Sequence, residues 1–183
     1  GVELVPFTGV DASGEVEVEV ESGQAFDIVA NQKMKEYVTF TVTDGVLRLR
    51  CVGAGPGELV SRRVVVRLPN LVAATADNGA RLVVRNVVGE RFVVVSRSGG
   101  KVDVAGRVTV AQCRVSGGGQ LFGTQLRTER MSVRLEGDGE VHCSAAQELV
   151  VVIMGKGLVW CHGKPGLVTR NISGGGELRF DQE

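Results

Sequence analysis

The stretch that decides the fold is Arg97-Ser98-Gly99-Gly100-Lys101-Val102-Asp103-Val104, because its pattern returns as Ser116-Gly117-Gly118-Gly119-Gln120-Leu121-Phe122 and again further along the chain. Each copy is a Gly-rich turn that opens a short alternating run. The other copies of the turn are Asp77-Asn78-Gly79-Ala80, Glu136-Gly137-Asp138-Gly139, Met154-Gly155-Lys156-Gly157 and Ser173-Gly174-Gly175-Gly176, spaced 18 to 20 residues apart. Aligned, they place Ala80, Gly100, Gly119, Gly139, Gly157 and Gly176 in one column. Two residues later stands an apolar column, Leu82, Val102, Leu121, Val141, Val159 and Leu178, and four residues before the glycines stand Ser96, Val115, Leu135, Ile153 and Ile172. Side chains alternate across a strand, so both columns are expected to face inward. One such unit cannot bury its apolar face alone, whereas stacked units make a continuous core. Glycine suits the corners because the chain turns sharply there while neighbouring rungs approach within about 4.8 Å. The expected fold is all-β, a right-handed parallel β-helix-like solenoid. A barrel or sandwich also has short strands at regular spacing, but has no reason to hold its loop lengths so uniform.

The first third reads differently. From Gly14 to Glu21 the chain alternates strictly, with Val16, Val18 and Val20 on one side and Glu15, Glu17, Glu19 and Glu21 on the other, a half-buried strand. Further runs carry Phe26, Ile28 and Ala30, then Val38, Phe40 and Val42, and Asp44-Gly45 is a strong hairpin signal before Leu47, Leu49 and Cys51. Gly53 to Gly57 reads as a surface loop and Arg62 to Leu68 as another strand. The expectation is one domain over residues 1–183: N-terminal antiparallel strands over 1–68 and the Gly-cornered β-helix over 69–183, with no linker between them.

Composition narrows the function. Aromatics make up 4% of a chain rich in Val and Gly, which favours layered β structure over helices. Lys plus Arg equals Asp plus Glu at 21 each, so no global field draws the chain to nucleic acid or an anionic membrane. No apolar run is long enough for a transmembrane segment, and Gly1-Val2-Glu3 has no leader character, as expected of a chain whose signal peptide has been removed.

The opening Phe7-Thr8-Gly9-Val10, the strand from Glu15 to Val20, Gly45-Val46-Leu47-Arg48-Leu49, Leu68-Pro69-Asn70-Leu71, the Ser-Gly-x-Gly turns and Gly163-Lys164-Pro165 together resemble the auto-transporter adhesin head GIN domain family over nearly the whole chain. The resemblance implies a β-helix-like fold, export in Gram-negative bacteria to the periplasm, outer membrane surface or outside, and an adhesive or surface role without catalytic residues. The turns at Glu136 to Gly139 and Met154 to Gly157 and the four cysteines depart from the family pattern.

Site chemistry is sparse. His142-Cys143 and Cys161-His162 invite a Cys2His2 metal reading, but the register puts Cys143 and Cys161 inward, His142 outward and His162 beyond the strand. No metal and no cofactor are therefore expected. Cys143 and Cys161 read as stacked core thiols or as a disulfide, while Cys51 and Cys113 carry no pairing signal. Glu136, Asp138 and Glu140 crowd one turn and read as a solvated acidic cluster. No catalytic motif is present, so the chain is not expected to be an enzyme; a carbohydrate-active β-helix with an unrecognised site is the alternative. One outward column, three residues after the glycines, holds Asp103, Phe122, His142, Trp160 and Arg179. Phe122, His142, Trp160 and Arg179 are the candidate ligand-binding or interface residues. The partner would be a surface glycan or protein, or a second copy in a homo-oligomer or self-associating scaffold; the third reading is a ladder covered as core.

Overall fold

The computed structural model describes residues 5–52 and 63–181; the loop expected at Gly53 to Gly57 lies outside them. The described chain is all-β apart from a single 3-10 turn at Met34–Glu36, and its parallel coils stack into a β-solenoid of about five turns. The rungs are built from β7 (Ala73–Asp77), β8 (Arg81–Ser96), β9 (Lys101–Val115), β10 (Gln120–Glu136), β11 (Glu140–Met154), β12 (Leu158–His162), β13 (Leu167–Ser173) and β14 (Glu177–Phe180). They are preceded by β1 (Gly9–Ser13), β2 (Glu17–Ser22), β3 (Asp27–Ala30), β4 (Val38–Thr43), β5 (Val46–Cys51) and β6 (Arg63–Leu68).

The repeat columns are reproduced residue for residue. Leu82 pairs with Val102, Val102 with Leu121, Leu121 with Val141, Val141 with Val159 and Val159 with Leu178. The second column runs Ser96, Val115, Leu135, Ile153 and Ile172. Both point into the core, where Leu82, Leu121, Val141 and Val159 are fully buried. Between the columns each long strand bends: register breaks separate Val84 from Val87 in β8 and Phe122 from Gln125 in β10.

The glycine column has a direct cause. The carbonyl of each column residue accepts the N–H that follows the next one: Lys101 donates to Ala80, Gln120 to Gly100, Glu140 to Gly119 and Leu158 to Gly139, at 2.9 to 3.2 Å. A Cβ at Gly139 would lie 2.4 Å from the Gly119 carbonyl oxygen. In the first three turns both central residues have positive φ, namely Asn78-Gly79, Ser98-Gly99 and Gly117-Gly118, the signature of type I′. In the last three only Gly137, Gly155 and Gly174 do, as in type II′. The turn type thus changes once along the stack, between Ser116-Gly117-Gly118-Gly119 and Glu136-Gly137-Asp138-Gly139, and the stacking is intact on both sides of the change.

The N-terminal strands divide. Among the described residues antiparallel pairing is confined to β3 with β6 and β4 with β5, the latter joined by the expected hairpin at Asp44-Gly45. The other strands already belong to the parallel stack, so it begins well before residue 69. Here β1 lies between β5 and β7, and β2 lies between β6 and β8, all parallel. Charge specifies this insertion. Glu17 and Glu21 face Arg63 and Arg67 on one side and Arg81 and Arg85 on the other, with ion pairs from Arg63 to Glu19 and from Arg67 to Glu21. Each exposed cross-strand pair contributes only about 0.2–1 kcal/mol, but a one-residue slip would turn the acidic face of β2 into the core, so the set fixes register.

Cys143 and Cys161 pair in register, both fully buried, and all four cysteines are free thiols. The hydrogen bond to Cys161 and then burial push the Cys143 thiol well up, and burial alone raises Cys113. Cys51 is half-buried. Because Cys113, Cys143 and Cys161 are buried out of reach of a reagent and Cys51 is not, an aromatic disulfide reagent is expected to titrate one thiol, Cys51, in native protein and four after unfolding. Rapid native titration of more than one would mean that the core opens.

Candidate functional site

The outward column is in register as the sequence implies: Asp103 beside Phe122, Phe122 beside His142, His142 beside Trp160 and Trp160 beside Arg179. The rings stack. Phe122 and His142 have centroids 5.6 Å apart at an interplanar angle of 24°, and His142 and Trp160 are 5.8 Å apart at 21°. Parallel, in-register strands cause this, since they set equivalent side chains of successive rungs beside one another on the same face. Arg179 closes one end of the column with its guanidinium on Glu177 at 2.8 Å, and Asp103 closes the other against Arg81 at 3.2 Å.

One member was not anticipated. His162 lies inside β12 rather than beyond it, paired with Ser144 and facing outward. Its ring is parallel to Trp160, 5.5 Å away at 2°, and stacks on His142 at 5.7 Å. Residues two apart on a strand share a face, and diagonal neighbours on adjacent strands are within side-chain reach. His142 and His162 stand in that relation, which is the signal the sequence carried.

Two carboxylates bracket the rings. Glu140 Oε1 lies 2.7 Å from His142 Nε2, and Asp181 oxygens lie 2.9 and 3.1 Å from His162 Nδ1. The Trp160 indole N–H donates to Asp181 at 2.9 Å. That hydrogen bond first, and the neighbouring His162 with it, hold the Asp181 carboxyl below its ordinary range. The cysteines take no part, being turned inward, and among the described residues no three His, Cys, Asp or Glu side chains converge on a point that could hold a metal.

A shallow groove of about 440 Å³ lies elsewhere, at the bends of the rungs, with Val88, Arg107 and Arg127 in its lining and one carboxylate, Glu129. Glycoside hydrolysis in its usual form needs two carboxyl groups flanking the bond.

Comparison with known proteins decides the family. The model of the family described as "Putative auto-transporter adhesin, head GIN domain" matches residues 6–165. The chain belongs to this family. Its fold also matches solved structures: a "putative adhesin" from Bacteroides fragilis at 16% identity and TM-score 0.74, over 98% of this chain and 94% of that one. A "putative lipid binding protein" from Parabacteroides distasonis aligns at 14% identity and TM-score 0.55, over 99% and 95% of the two chains. A "putative adhesin" from Parabacteroides merdae aligns at 15% identity and TM-score 0.54, over 99% and 94%. No curated protein matches. At these identities the structural likeness establishes the fold alone and leaves the ligand to the chain's own surface. Among the described residues no helix is long and apolar enough to cross a membrane.

Proposed function

We propose that this head GIN chain is one exported, non-catalytic, adhesin-type module of a bacterial cell envelope, which meets a surface glycan or protein on the face carrying Phe122, His142, Trp160 and Arg179. The observation that supports the reading is the outward ring stack. A chain with 4% aromatics sets its only Trp and a 37%-exposed Phe122 on one lateral face of a rigid solenoid, where a core needs neither. Aromatic side chains displayed in this way suit recognition, because they supply large contact area at low conformational cost. The ring faces within the stack are turned to one another. A partner would therefore meet ring edges, the carboxylates that bracket them, and Phe122 at the end of the stack.

Iodide quenching of Trp160, repeated across a glycan panel, tests this, since a single Trp reports on the face without ambiguity. Marked quenching that a glycan or protein partner relieves is the expected result. Weak quenching that grows on dilution, with light scattering tracking dissociation, would make the face a contact between copies. Weak quenching at every concentration would remove it as a binding surface.

A further inference from the structure

The groove at the bends of the rungs holds two arginines side by side. Arg107 and Arg127 pair in register on β9 and β10, and both are exposed. Their side chains therefore leave one face of the sheet about 4.8 Å apart, the strand spacing. Like charges set opposite one another in this way are destabilising. Elsewhere a neighbouring strand or turn supplies a carboxylate to such an arginine: Asp103 to Arg81, Asp77 to Arg97 and Glu21 to Arg67. A second in-register pair, Arg114 beside Arg134, is relieved by Glu136, 2.9 Å from Arg134. Among the described residues Arg107 and Arg127 have no ion pair and no side-chain hydrogen bond, so both guanidinium forks are free to donate.

The surroundings of the pair select the anion. The groove, of about 440 Å³, falls within the roughly 300–1,000 Å³ of small-ligand clefts. Val88, in register with Arg107, is 68% exposed and makes an apolar step beside the cations. Thr109 and Glu129 stand two residues on from Arg107 and Arg127, both exposed and both lining the groove. They offer a hydroxyl that donates or accepts and a carboxylate that accepts. Two positive groups and one negative leave a single positive charge, which suits one carboxylate per ligand unit better than a dense polyanion. A sugar acid answers every feature: its carboxylate suits the guanidinium forks, its hydroxyls suit Thr109 and Glu129, and the apolar face of its ring suits Val88. An oligoglutamate chain has no hydroxyls and crowds its carboxylates against Glu129.

We propose that Arg107 and Arg127 bind the carboxylate of a uronic acid residue in an acidic glycan, with Thr109 and Glu129 on its hydroxyls and Val88 against its ring. Planar forks grip a carboxylate through parallel hydrogen bonds, which gives orientation as well as affinity. The groove is a second site. It lies past the register break between Phe122 and Gln125 and contains none of the stacked rings. An adjoining groove of about 450 Å³ shares Val88 and Gly89 and continues to Val72 and Val93, which gives the next sugar an apolar surface.

The test titrates a galacturonic acid trimer calorimetrically into the protein, beside the neutral galactose trimer and a glutamic acid trimer. Saturable binding of one uronate trimer per chain is expected, about 10-fold or more tighter than either of the others. Arg107→Gln and Arg127→Gln each weaken it about 10–100-fold, the loss for removing a hydrogen bond to a charged group. Arg127→Lys keeps the charge without the fork and weakens binding as well. The two Gln substitutions leave the thermal melt unchanged or raise it, because each removes a like-charge contact. Phe122→Ala leaves the affinity unchanged, which separates this groove from the ring face. Lack of saturable binding by the parent protein, equal affinity for the neutral or the glutamate trimer, or retention in the Arg107→Gln/Arg127→Gln double variant overturns the proposal.

Discussion

Gly106→Ala is expected to cost about 3–5 kcal/mol, enough to lower the melting temperature by roughly 10–15 °C in a chain of this size. Gly106 sits at the bend of β9 with φ of +148°, and a Cβ built on it would stand 2.1 Å from the carbonyl oxygen of Val87 and 2.7 Å from its nitrogen. Both penalties act together: a backbone conformation that L side chains rarely adopt, and a contact with neighbouring backbone that no rotamer change relieves. The control is Gly137→Ala. There φ is also positive, at +87°, but nothing lies within 4 Å of the added carbon, so the loss should stay near 1 kcal/mol. Thermal and denaturant melts of the two variants check the ordering. Equal losses would mean that close approach between rungs is not what demands glycine at the bend.

The same geometry explains what the sequence disclosed and what it withheld. Stacking in register repeats each contact from rung to rung, so Ala80, Gly100, Gly119 and Gly139 recur at fixed phase, and the pattern alone assigns the column from Leu82 to Leu178 inward. The outward ring column followed from the same count. The insertion of β1 and β2 between strands that come later in the chain left no periodic trace, because pairing of distant segments is invisible to a local pattern. Its only mark was charge: the glutamates of β2 match the arginines of β6 and β8, and a search for complementary strands would have found it. His162 was missed for a local reason. Gly163-Lys164-Pro165 reads as a turn, which drew the strand end too early, although parity alone places His162 on the face of Trp160 and His142. Asp181, which joins Trp160 to His162, follows the last strand, where hydrophobic alternation carries no further information.

Phe92→Ala is expected to destabilise the protein by about 3–5 kcal/mol, the range for deleting a buried aromatic ring when its surroundings only partly collapse. Phe92 is 1% exposed and belongs to an inward column that continues through Ala111, Met131 and Leu149. The sizes along that column are complementary, since the large ring lies in register with the small Ala111. Shortening Phe92 would set two methyl groups side by side and open a cavity that adjacent rungs cannot close without breaking their backbone ladders. Ala111→Phe alone should destabilise by about 1–3 kcal/mol, because the site beside Phe92 is filled. The double variant Phe92→Ala/Ala111→Phe restores the total volume one rung along, so its loss should be smaller than the sum of the single losses by at least about 1 kcal/mol. Chemical denaturation of the four proteins measures that coupling. Strict additivity would show that Phe92 and Ala111 do not share one space, and that the core tolerates each rung separately instead of packing as a continuous column.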